Sequence, residues 1–140
     1  MSAAGSPSEA RRASPGVQAR KPDFAHPVER ELARLLDEHG IAWEYEPRTF
    51  VLERDADGRI REAFTPDFYL PEQDVFVETT VMRQRLTSRK NRKVRKLRER
   101  GVLVAVLYRR DILRLARRWG WHRLERAARG GLGAAREGRR

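Results

Sequence analysis

The chain has no cysteine, and its 140 residues include only three histidines, His26, His39 and His122. The first absence excludes a disulfide framework, a thiol nucleophile and a cysteine-based zinc site. The scatter of the histidines gives no paired ligand spacing, which argues against zinc enzymes and against nucleases that bind metal through histidine. No apolar run approaches the roughly 18 residues a membrane span needs. The opening MSAAGSPSEARRASPG also lacks the apolar core of a secretory signal. A cytoplasmic protein with no membrane partner is expected. Acid is scarce in one long stretch, since residues 80–119 hold two acidic side chains against fifteen Lys and Arg.

The charge that is present divides unevenly along the chain. Residues 1–22 carry four basic and one acidic side chain, 23–79 carry six and fifteen, and 120–140 carry six and two, within a net charge of +11. An acidic half is followed directly by a basic one. A pI near 11.2 with the cations clustered is the electrostatic footprint of a nucleic-acid binder. The plain alternative is an Arg-rich surface with no specific partner. An anionic membrane fits less well, because the basic stretch lacks a broad apolar face with exposed aromatics. The length suits one domain with a real core. The expected organisation is a disordered basic tail over 1–22, a folded domain over 23–119, and a basic Gly/Arg-rich tail over 120–140 holding at most a turn or two of helix.

The domain is organised around a hairpin predicted over Thr65–Thr80, TPDFYLPEQDVFVETT. A four-residue turn at 71–74 sets Leu70 opposite Val75 and Phe68 opposite Val77 on one face. The other face then receives Tyr69 opposite Phe76, Asp67 opposite Glu78 and Thr65 opposite Thr80. Like charges directly opposite each other destabilise a strand pair by tenths of a kcal/mol to about 1 kcal/mol. A divalent cation with oxygen ligands offsets that cost. A turn longer by one residue separates the two acids, but it also breaks the apolar pairs.

Around the hairpin, Pro27 and Gly40 bound a helix over about 27–39, with Val28, Leu32, Leu35 and Leu36 on one face. Glu29 flanks that stripe. It either points toward the sheet or is an ordinary acid of a helix's first turn. Ile41, Trp43 and Tyr45 alternate with Ala42, Glu44 and Glu46, the period of a half-buried strand. A second hairpin is predicted around Asp55-Ala56-Asp57-Gly58, a turn without calcium-loop spacing. After Thr80, VMRQRLTSRKNRKVRKLRERG predicts a helix from Thr87 or Ser88 to Arg100 with a thin stripe of Leu86, Val94 and Leu97. Lys90 falls on that stripe. It either turns its ammonium inward or buries its stem and reaches water. Arg85, Arg89, Arg92, Lys93 and Lys96 are candidates for a face that tracks phosphates. Val102–Tyr108 reads as a strand parallel to the hairpin's second arm. Asp111 caps a last helix with Ile112, Leu115, Ala116 and Trp119 inward.

This order, with Pro66-Asp67 and Glu78 linked by a turn, an acid on the first helix and the run Phe68-Tyr69-Leu70-Pro71, resembles the PD-(D/E)xK nuclease superfamily over about residues 26–108. The resemblance implies an α/β fold with a restriction-endonuclease-like αβββαβ core, a mixed sheet flanked by helices. It further implies a monomer or homodimer that binds nucleic acid, DNA ahead of RNA, and cleaves phosphodiester bonds with Mg²⁺ (or Mn²⁺) held by Asp67, Glu78 and Glu29. The chain departs from the pattern two residues after Glu78, where Thr80 stands in place of the usual lysine. Lys90, or less favourably Lys93, supplies the missing ammonium, or the domain binds nucleic acid, or an acidic protein partner, without cutting.

Overall fold

The computed structural model describes residues 22–81 and 84–137, with the side chains of 84–87 and 131–137 outside the description. The tail expected over residues 1–22 thus lies almost wholly outside the described residues.

Helix α1 (Pro27–Glu38) starts where Pro27 meets a His26 cap, whose ring Nδ1 accepts the Val28 N–H at 3.0 Å. It stops at Gly40, which takes φ +65°, a left-handed conformation that costs glycine nothing, and Ile41 N–H then closes onto Leu36 O at 2.9 Å. Strand β1 is only Glu44–Tyr45. Strands β2 (Phe50–Arg54) and β3 (Ile60–Phe64) form a separate two-stranded sheet. Their turn is built by Asp55, whose carboxylate accepts from the Asp57 and Arg59 N–H groups at 2.9 Å. Gly58 there takes φ +83°.

Strands β4 (Phe68–Leu70) and β5 (Val75–Thr80) pair antiparallel as Phe68↔Val77, Tyr69↔Phe76 and Leu70↔Val75, the register that the four-residue turn predicts. Asp74 closes the turn at φ +55° and accepts a 2.7 Å bond from the Tyr69 hydroxyl. Helix α2 (Gln84–Glu99) then leads into β6 (Val104–Tyr108), which pairs parallel to β5 with Glu78 beside Val106. The helix begins earlier than expected, so Ser88 lies inside it rather than capping it. Helices α3 (Arg109–Arg118) and α4 (His122–Glu137) complete the chain.

The mixed sheet runs β1-β4-β5-β6 and is covered on both faces. One face carries Phe68 and Val77 against Val28, Leu32 and Leu35 of α1, Ile112 and Ala116 of α3, and Leu124 and Ala128 of α4. The other carries Tyr69, Phe76 and Val104 against Val94 and Leu97 of α2 and Phe50, Leu52 and Phe64 of the β2–β3 hairpin. Burying side chains of this size contributes about 1.5–3 kcal/mol each. The chain is therefore α/β with a mixed four-stranded sheet and a two-stranded sheet flanked by helices.

Four local expectations need correction. Residues 122–137 are helical rather than a tail, because Leu124 and Ala128 are fully buried in the core and their packing overrides the roughly 1 kcal/mol that each glycine costs a helix. Trp119 follows the last turn of α3 and is 50% exposed, lying edge-on to His39 instead of pointing inward. Asp111 caps α3 from inside its first turn, accepting the Tyr108 N–H at 2.9 Å. Glu44 is buried rather than on a solvated face, since both sheet faces are covered, and burial raises its carboxyl above the ordinary range.

Candidate functional site

Asp67 and Glu78 come from the two arms of the β4–β5 hairpin, just past the last paired residues. Both are buried, at 7% and 3% exposure. Where the backbone ladder ends, the two side chains take over its hydrogen bonds. The Asp67 N–H donates to Glu78 Oε1 at 2.9 Å, while the Thr79 N–H and hydroxyl both donate to Asp67 Oδ2 at 2.8 Å. Each carboxylate is thus held by the arm that carries the other. Thr65 does not reach Thr80; its hydroxyl instead shares a 2.7 Å bond with Thr49.

Helix α2 sets Lys90, Val94 and Leu97 along its sheet-facing stripe, and the parallel crossover brings Lys90 to the end of β5. Its Nζ lies 2.6 Å from Glu78 Oε2 and donates to Thr79 O at 2.9 Å, with the side chain 14% exposed. Of the two orientations open to Lys90, the inward one is found. An ammonium has three donors, and among the described residues the third has no acceptor.

Glu29 is buried beside α1's start, where its Oε1 accepts from the Tyr45 hydroxyl at 2.6 Å and the Ala25 N–H at 3.1 Å. Of the two readings of Glu29, the orientation toward the sheet is found. Burial pushes the Glu78 carboxyl up to about 7, and the Asp67 charge adds to this against the pull of Lys90. Burial and then the Asp67 charge also raise Glu29, which the Tyr45 bond opposes. Tyr45 itself is raised by burial and by its bond to Glu29. All three acids therefore share one field, but among the described residues no three His, Asp or Glu side chains converge closely enough to hold a metal ion. Glu29 does not join Asp67 and Glu78 in the three-acid set the resemblance implies, because its carboxylate is held by Tyr45 and Ala25.

The remaining donors, Asp67 and Glu78, are hard oxygens of the kind that bind Mg²⁺ with water and phosphate oxygens as further ligands. Thr80, two residues after Glu78 on the same face of β5, is 3% exposed and its hydroxyl has no hydrogen-bond partner among the described residues. Buried polar atoms are rarely left so. An unmet hydroxyl beside two buried carboxylates fits a hydrated divalent cation.

The basic helix differs from expectation. Arg92 and Lys96 both reach Glu62 of β3, at 3.2 and 2.6 Å, and Lys93 donates to Ala63 O at 3.1 Å. Arg98 binds Val104 O, and Arg100 binds Val51 O and Leu52 O. The β2–β3 hairpin has folded onto the face predicted to track phosphates. Arg89 remains exposed, and the side chain of Arg85 lies outside the described residues.

Three contributors escape a reading of the sequence. Thr79 anchors Asp67, Tyr45 holds Glu29, and Arg109 bridges Val81 O at 2.6 Å and Ala128 O at 3.1 Å, tying α4 to the end of β5. Only Thr79 had a signal, in its tandem with Thr80 directly after Glu78. No protein-family model matches the chain, and no curated protein or solved structure shows significant similarity to it.

Proposed function

We propose that this protein is a divalent-metal-dependent nuclease of the PD-(D/E)xK type that hydrolyses DNA phosphodiester bonds, with Lys90 supplying the ammonium that the position of Thr80 lacks. One observation carries the reading: Glu29, Asp67 and Glu78 are all buried, and the only cation ion-paired with any of them among the described residues is Lys90. Uncompensated buried charge is costly. A site that keeps this excess is built for a cation or for a proton held near neutral pH.

Asp67 and Glu78 would hold Mg²⁺ or Mn²⁺, which when bound supplies an acidified water and steadies charge on the leaving oxygen. Lys90 is fixed by Glu78 and Thr79 O, which leaves one N–H to orient a phosphate oxygen or the attacking water. Thr80 offers a hydroxyl from the adjacent position on β5 to the same water shell. Glu29 acts at one remove, adding negative field that favours a cation.

A second reading has its own support. Glu78 is already bonded through both oxygens, as suits a domain that binds nucleic acid without cutting it. Calorimetric titration of Mg²⁺ or Mn²⁺ separates the two. The nuclease reading expects saturable binding that Asp67→Ala abolishes, with metal-dependent DNA cleavage falling by at least about a hundredfold in Asp67→Ala and Glu78→Ala. Full cleavage in either variant, or no metal binding even with DNA present, would sink it.

A further inference from the structure

An open cleft of about 870 Å³ lies between α1 and α4, away from the α2 face, and its walls include Arg30 and Arg34 from α1 and Arg123 and Arg126 from α4. Four guanidinium groups there face one carboxylate, Glu31, which is buried and accepts from Arg34 at 3.2 Å and from the Trp121 ring N–H at 3.3 Å. Arg123 and Arg126 are exposed and have no acidic partner among the described residues. Unlike Lys96 and Arg92 on α2, they form no ion pair or hydrogen bond that ties them to another element among the described residues. His26 also lines the cleft. Guanidinium groups bind phosphates through a planar fork of donors, and a row of them along a groove follows a backbone without reading bases.

We propose that this α1–α4 cleft is the nucleic-acid track: it holds the phosphate backbone of a single strand on the unpaired guanidinium groups of Arg123 and Arg126. The proposal rests on the nuclease reading for its ligand and moves the contact surface from the basic helix α2 to arginines that sequence reading did not single out.

The test measures fluorescence anisotropy of a labelled single-stranded DNA with the full chain in EDTA, so that binding is scored without cleavage. Arg123→Gln/Arg126→Gln should weaken binding at least about tenfold and lower the slope of log K against log salt by about 1.4, the value for two lost contacts to a single strand. Arg92→Gln/Lys96→Gln should bind within about twofold of wild type. Both arginines of the first pair are exposed, and an unchanged thermal melt confirms that the variant folds. Wild-type binding by Arg123→Gln/Arg126→Gln overturns the proposal, as does inorganic pyrophosphate displacing the strand as well as unlabelled DNA at equal phosphate concentration, which makes the cleft a small-anion site. Loss of the nuclease reading looks different: no Mg²⁺ binding and no cleavage, while the strand still binds through Arg123 and Arg126.

Discussion

Two lysines on the same helix form ion pairs of the same length with opposite consequences. Lys90 and Lys96 each sit 2.6 Å from a glutamate. Glu62, partly exposed and approached by Lys96 and then Arg92, is held below the usual carboxylate range. Glu78, buried and facing Asp67, is pushed up to about 7 although its lysine is just as near. Distance to the cation does not decide the protonation state. Burial and a second acid do, and they separate a pair that pins a hairpin from a pair whose acid keeps its proton up to about pH 7.

The largest expected effect breaks the buried pair. Lys90→Ala leaves Glu78 in the interior with Asp67 and no counter-ion, a change that typically costs about 3–5 kcal/mol. Urea denaturation at about pH 8 should show a loss in that range, and the loss should shrink at about pH 5, where Glu78 escapes the penalty by taking up a proton. If the cost is equal at both pH values, packing of the lysine stem is the cause and the electrostatic contrast with Lys96 fails. In the nuclease assay the same variant should lower turnover much more than DNA binding.

The pH dependence of the unmodified, metal-free protein is the next sharpest test. Glu78 has its carboxyl raised from an ordinary 4.5 to about 7, so between those values the folded chain keeps a proton that the unfolded chain has released. Stability must then fall as pH rises through this window, in total on the order of 1–3 kcal/mol. Glu29, also raised, acts with the same sign. Glu78→Gln should remove most of the slope. Saturating Mg²⁺ should oppose it in the wild type but not in Asp67→Ala. A flat profile from about pH 5 to 8 would mean that the acids are compensated within the chain.

How much of this was legible in the sequence follows the range of the interactions. The β4–β5 register could be read because apolar pairs and a four-residue turn leave one alignment that buries Phe68 with Val77, and the acids follow from that alignment by alternation. Helical spacing alone put Lys90 on the inward stripe, but the turn of its ammonium toward Glu78 and Thr79 O depends on where β5 ends and could not be read. The tie of Arg92, Lys93 and Lys96 to β3 could not be read, since those partners lie about thirty residues away and no local pattern says that the β2–β3 hairpin folds back onto α2. Helix α4 was obscured by its glycines, and with it the arginine cleft, which exists only because Leu124 and Ala128 dock that helix beside α1.

The smallest expected effect belongs to the other half of the comparison. Removing Lys96 as Lys96→Met leaves Glu62 with Arg92 and with water, and neither the folded core nor the Asp67 site depends on it. The urea midpoint should move little. What movement there is should vanish at about 1 M salt, where the screening length falls to about 3 Å. Lys90→Ala measured in the same salt should keep most of its cost, because its partner is buried and poorly screened. If Lys96→Met instead destabilises as strongly as Lys90→Ala, the β2–β3 hairpin is held on α2 chiefly by charge, and the apolar contacts of Phe50, Leu52 and Phe64 contribute less than their burial implies.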